Sequence, residues 1–143
     1  MSEVNIVKFL ALNEDAVIPQ KGTEQSAGFD LVSMVDCTIR QGAPVAIPLG
    51  FATEIPTNIH CRIESRSGMA LKNAVVLTGV IDSDYRGEWK VIMGNLGTEV
   101  ISISKGQRIA QGVFRETPKV RFEAVSDLLK TSRGAGGFGS TGR

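Results

Sequence analysis

Only two cysteines, Cys37 and Cys61, and a single histidine, His60, occur in the 143 residues. A protein-built zinc site needs three or four such ligands at short spacings, so this composition argues against one. The two cysteines lie in separate strand-like segments and are expected to be reduced thiols. That places the chain inside the cell, in the cytoplasm, with the nucleus added for a eukaryotic or viral source. No apolar run approaches the roughly 20 residues that span a bilayer. The opening residues also lack the charged and then apolar order of a secretion signal, so no membrane partner is expected. Basic runs are missing too. Sixteen Lys and Arg face 15 Asp and Glu, for a formal charge of +1. That balance gives no support for sequence-independent nucleic-acid binding.

What the chain does have is a series of short alternating runs. Residues 35–39, 51–55 and 59–63 each place every second residue on an apolar face, and Pro44, Pro48, Pro56 and several Gly pairs end them early. Residues 88–93, 99–104, 108–114 and 119–122 continue the series. The stretch 74–81 is apolar almost throughout, which predicts one strand buried on both sides. Helix is expected only briefly, after Ser67 and near Ser126. The pattern predicts one all-β domain, a sandwich or jelly roll.

Five polar loops interrupt these runs. Ala27-Gly28-Phe29-Asp30-Leu31 sets a carboxylate at the start of an apolar strand, where a structural turn and a metal-facing acid both fit. Arg66-Ser67-Gly68-Met69-Ala70-Leu71-Lys72 predicts a short helix with Ser67 as its N-cap. Its N–H groups, hydroxyl and guanidinium suit a phosphate, and they equally suit a plain capped turn. Gly79-Val80-Ile81-Asp82-Ser83-Asp84-Tyr85-Arg86-Gly87-Glu88 predicts a hairpin returning from Glu88. Asp82 stands at its mouth beside Tyr85, placed to activate water next to a flat substrate. In Gly106-Gln107-Arg108-Ile109-Ala110-Gln111 the last residue is either an amide for a phosphate or an ordinary sheet-face side chain. Finally, residues 133–143 hold five glycines around Arg133, Phe138, Ser140 and Thr141. Such a tail buries too little apolar surface to offset its ordering entropy. It is either a plain flexible terminus or a flap that closes over a phosphorylated, ring-bearing molecule.

In this order and at these spacings, the five segments resemble the five motifs of the homotrimeric dUTP pyrophosphatase (dUTPase) family. The resemblance runs from Ala27 to Gly142, and its third and fifth segments are the most specific. Two positions depart from the family pattern. Ser65 stands where Pro usually precedes the Arg of the second motif, and Ser26-Ala27-Gly28 replaces Ala-Ala-Gly.

The resemblance implies a distorted jelly roll of the dUTPase β-clip kind over residues 1–130. Residues 131–143 would form a mobile lid over the active site of a neighbouring subunit. The implied reaction is hydrolysis of dUTP to dUMP and pyrophosphate, which keeps uracil out of DNA and supplies dUMP for dTTP synthesis. Asp82 would be the general base toward the α-phosphorus and would hold the 3′-hydroxyl. Tyr85 would exclude a 2′-hydroxyl, and the backbone from Val76 through Gly79 to Val80 would read uracil. Arg66, Ser67, Gly68 and Gln111 would hold the phosphates. From the tail, Phe138 with Gly139 would cover the uracil, while Arg133, Ser140 and Thr141 would take the γ-phosphate. Asp30 would reach Mg2+ through water, the ion sitting mainly on substrate phosphates. Two other readings stay open: a nucleotide-gated interaction protein using the same site, and a relative of dCTP deaminase.

Overall fold

The computed structural model describes residues 3–139. Frequent turn residues stop each run early, so the described chain forms twelve short strands and one helical turn. In order these are β1 (Lys8–Ala11), β2 (Gln20–Lys21), β3 (Phe29–Val32), β4 (Cys37–Ile39), β5 (Val45–Pro48), β6 (Phe51–Glu54) and β7 (Ile59–Ser65). Then follow α1 (Ser67–Leu71), β8 (Ala74–Thr78), β9 (Val80–Ile81), β10 (Lys90–Asn95), β11 (Ile101–Ile103) and β12 (Arg108–Glu116). The largest sheet runs β2-β3-β12-β7-β9; a second runs β5-β10-β8; β1 pairs with β6 and β4 with β11. All of these pairings are antiparallel. The architecture is the expected all-β, distorted jelly roll. No helix among the described residues is long and apolar enough to cross a membrane.

Period-two alternation decides what is buried. In β7, Ile59, Cys61 and Ile63 point into the core while Arg62 is exposed. Phe51 packs between Phe9 and Trp89, with ring centroids 4.9 and 5.0 Å away. Burying a side chain of this size contributes about 1.5–3 kcal/mol. The buried polar groups are paired: Trp89 Nε1 donates to Thr53 Oγ1 at 2.9 Å, and Asn95 Nδ2 donates to the carbonyls of Ile39 and Glu99.

Three local expectations are corrected. The apolar stretch 74–81 is two strands, because the chain changes sheets at Gly79: β8 pairs with β10, and β9 crosses to β7. A Cβ at Gly79 would lie 3.0 Å from Ile63 Cβ, so this close passage needs glycine. Leu77 and Val80 are exposed rather than covered on both sides. Residues 119–122 form no strand and residues 126–129 no helix. Those side chains, Phe122 and Leu129 among them, lie exposed beyond β12. Local propensity without a packing partner does not hold an element together. Ser67 is not the N-cap of α1: Arg66 takes that position with extended backbone, and no side chain caps it.

Candidate active site

One cluster forms where β3, β12 and β7 lie side by side. Asp30 on β3 stands opposite Gln111 on β12, and Gln111 stands opposite Glu64 on β7. Because β7 ends at Ser65, Arg66 leaves the sheet beside Asp30. Arg66 Nε lies 3.7 Å from Asp30 Oδ1, and Arg108 Nη1 lies 3.6 Å from Oδ2. Arg66 Nη1 also donates to the Arg108 carbonyl at 3.2 Å. Gln111 Nε2 donates to the Ser65 carbonyl at 3.0 Å. Two guanidiniums, an amide and one carboxylate therefore share a small surface, beside which Ser67 and Gly68 open α1, both exposed. The geometry suits an anion with several oxygens, which two planar guanidinium groups can bind by paired hydrogen bonds.

A second cluster surrounds the loop after β9. A hollow of about 250 Å³ is lined by Thr78, Gly79, Val80, Asp82, Tyr85 and Ile92, among others. The loop is internally fixed. Tyr85 N–H donates to the Asp82 carbonyl at 3.1 Å, and its hydroxyl donates to the Glu88 carbonyl at 2.8 Å. Arg86 Nη1 donates to the Ser83 carbonyl at 2.7 Å, and Glu88 Oε2 accepts the Gly50 N–H at 3.0 Å. Asp82 itself is exposed at the rim, where its carboxylate is open to water. Along the hollow, β8 carries a β-bulge: Val76 pairs with Met93 and Thr78 with Ile92, so Leu77 has no counterpart on β10. Such bulges re-aim backbone groups beside ligand sites. Val76 is not among the residues lining the hollow, and its N–H donates to Ser65 Oγ at 2.8 Å.

The sequence-expected residues thus fall into two groups rather than one. Asp30, Arg66 and Gln111 gather, with Ser67 and Gly68 alongside; Gly79, Val80, Asp82 and Tyr85 gather elsewhere. The described part of the tail, residues 131–139, lines neither the hollow nor the cleft described below. Arg133 Nε folds back onto the Gly136 carbonyl at 2.7 Å, and the Phe138 ring is fully exposed. Ser140 and Thr141 lie outside the described residues. Arg108 stands in the fourth segment and Ser65 is a departure in the second, but neither is a site residue by sequence, since their contacts arise from cross-strand neighbours. Among the described residues, no three His, Cys, Asp or Glu side chains gather as a metal site. An apolar cleft of about 270 Å³, bordered by Val7, Phe29, Trp89 and Phe114, holds none of the expected site residues. Cys61 borders it, but burial, followed by the charge of Glu64, pushes its thiol up to about 12, which leaves no ready nucleophile.

An all-β fold with a carboxylate-rimmed hollow and an arginine cluster suits a protein that takes a phosphorylated ligand between loops. The family model for dUTPase matches residues 14–142, and the chain belongs to the dUTPase family. The deoxyuridine 5′-triphosphate nucleotidohydrolase of Rickettsia massiliae is 44% identical over 135 residues, covering 91% of each chain. Among solved structures, a mutant of the Staphylococcus bacteriophage 80alpha dUTPase with dUpNHpp is similar at a TM-score of 0.85 and 24% identity. That likeness covers 96% of this chain and 99% of the other. A mutant dUTPase from phage phi11 of S. aureus, described with a structural Mg(II) ion, matches at a TM-score of 0.80 and 21% identity. It covers 86% of this chain and 98% of that one. These two likenesses bear on the fold.

Proposed function

We propose that this chain hydrolyses dUTP to dUMP and pyrophosphate, with Asp82 orienting the water that attacks the α-phosphorus. The observation that carries this reading is the rim of the hollow, where an exposed carboxylate stands beside Tyr85 and an irregular strand. The Asp82 carboxylate accepts a proton from water and also holds the sugar 3′-hydroxyl. Tyr85, fixed through Glu88, presses on the sugar face and leaves no room for a 2′-hydroxyl. Backbone groups near the bulge read the uracil edge, and the wrong base leaves them unpaired, which is the costly outcome.

Arg66, Ser67, Gly68 and Gln111 hold the phosphate chain. Charge builds on equatorial and leaving oxygens during the attack, so fixed positive groups and positioning supply most of the rate. In the free chain Asp30 balances Arg66 and Arg108. A triphosphate would compete for those arginines, and the Asp30 carboxylate, a hard oxygen donor of the kind Mg2+ takes, would then be free to hold the ion through water. Mg2+, when bound with the substrate, neutralises phosphate charge.

The same reading makes the protein a homotrimer with shared sites. Two observations favour it: Asp30, Arg66 and Gln111 do not line the hollow of their own chain, and apolar side chains stand exposed on the segment after β12. Residues 131–143 then act as the lid over a neighbour's site and residues 1–130 as the body. Phe138 with Gly139 covers the uracil, and Arg133, Ser140 and Thr141 meet the γ-phosphate. Turnover in water enriched in heavy oxygen tests the point of attack. Label in dUMP supports attack at the α-phosphorus, and label in pyrophosphate contradicts it.

A further inference from the structure

Within one chain Ser65 bonds in two directions, through its main chain toward the arginine cluster and through its side chain toward β8. Its carbonyl accepts the Gln111 amide at 3.0 Å, and its hydroxyl accepts the Val76 N–H at 2.8 Å. The second bond joins residues eleven apart, and the loop it closes carries Arg66, Ser67 and Gly68. On the far side of the bulge, the Gly79 carbonyl accepts the Ile63 N–H at 2.7 Å. β7 therefore grips the irregular strand at two points, Val76 and Gly79, on either side of Leu77. Beyond Gly79 the β7–β9 ladder ends and β8 turns to pair with β10, so the grip at Val76 has no ladder behind it. It depends on a hydroxyl. A short hydroxyl side chain at the end of β7 reaches across to that N–H.

We infer that Ser65 is a positioning residue that ties the phosphate-binding loop to the base-reading strand and thereby sets base selectivity. The inference rests on the dUTP reading above. Ser65→Ala keeps the carbonyl for Gln111 but removes the acceptor from a half-buried N–H, and the bulge loses one of its two anchors. A reading edge that can shift discriminates hydrogen-bond patterns less sharply, because a rigid site rejects a wrong base by leaving polar groups unpaired. The loop that this bond closes also carries Arg66, Ser67 and Gly68, so any loss of rate from loosening it is shared by every base and cancels in the ratio between bases.

Two measurements on the full chain test this. In hydrogen exchange on the free protein, the Val76 amide is slow in the wild type and in Ser65→Thr. It is expected to exchange about tenfold faster or more in Ser65→Ala. In steady-state kinetics, the ratio of kcat/KM for dUTP over dCTP falls about tenfold in Ser65→Ala, and Ser65→Thr restores it. Faster exchange with an unchanged ratio overturns the selectivity role and leaves Ser65 a structural tie. Unchanged exchange together with an unchanged ratio overturns the inference entirely. A wild type that turns over no dUTP overturns the functional reading and the selectivity role with it, while the exchange result stands apart. If Ser65→Ala does not fold, Ser65→Cys, with its weak sulfur acceptor, carries the same pair of measurements.

Discussion

Gln111 occupies the space that any side chain at position 28 would need. A Cβ on Gly28 would collide with Gln111 Oε1 and would approach Gln111 Cβ to 3.1 Å. Gly28→Ala should therefore push the amide off the Ser65 carbonyl and out of the phosphate cluster. The loss of one such hydrogen bond is on the order of 1 kcal/mol, so kcat/KM for dUTP should fall about 5- to 10-fold. Kinetics and a thermal melt measured together check this. A large drop in melting temperature with unchanged kcat/KM would make the contact merely structural.

Asp82→Asn keeps the shape of the rim but cannot accept a proton from water. It should bind dUTP with near-normal affinity and lose about a hundredfold or more in kcat, the scale of a general base. Binding by calorimetry alongside turnover separates the two effects. Near-normal turnover would remove Asp82 from the role.

Among the described residues the tail does not line the hollow beside Asp82, and Phe138 is fully exposed. Phe138→Ala should weaken nucleotide binding by about 1–3 kcal/mol, the range for base stacking on aromatic rings. Removal of residues 133–143 should abolish most turnover and leave the oligomer, measured by light scattering, unchanged. Dissociation on that deletion would assign the tail to assembly instead of the lid.

Cys61 gives a pH dependence with a definite sign. Its thiol ionises near 9.0 in the unfolded chain and is pushed up to about 12 in the fold. The folded state therefore holds the proton more tightly. The stability this provides is complete below pH 9.0 and is lost as pH rises toward 12, where the unfolded chain alone has released its proton. Chemical denaturation repeated across that window should show the midpoint falling, and Cys61→Ala should flatten part of the decline. An equal slope in both proteins would detach the effect from this thiol.

Much of this was legible because some signals are local. The alternation of Ile59, Cys61 and Ile63 is a period-two signal and predicts the buried face of β7 directly. The break at Gly79 is not local. It is decided by crowding against Ile63 on another strand, and an unbroken apolar run such as residues 74–81 cannot reveal it. Likewise the five polar segments could be recognised one by one, but the pairing of Asp30 with Arg108 comes from register between β3 and β12. Ser65, a departure from the family pattern, gains its role only from the position of Val76. Residues 119–122 and 126–129 had the right local character for strand and helix, yet they have no neighbour in the single chain to pack on.

The most direct test of the central claim is Mg2+-dependent pyrophosphate release from dUTP, measured beside dCTP, dTTP and UTP at equal concentration. Rapid release from dUTP alone is expected: on the proposed reading, cytosine leaves backbone groups unpaired, the thymine methyl meets a close wall, and Tyr85 leaves no room for a 2′-hydroxyl. Equal release from all four, or none from dUTP, would contradict it.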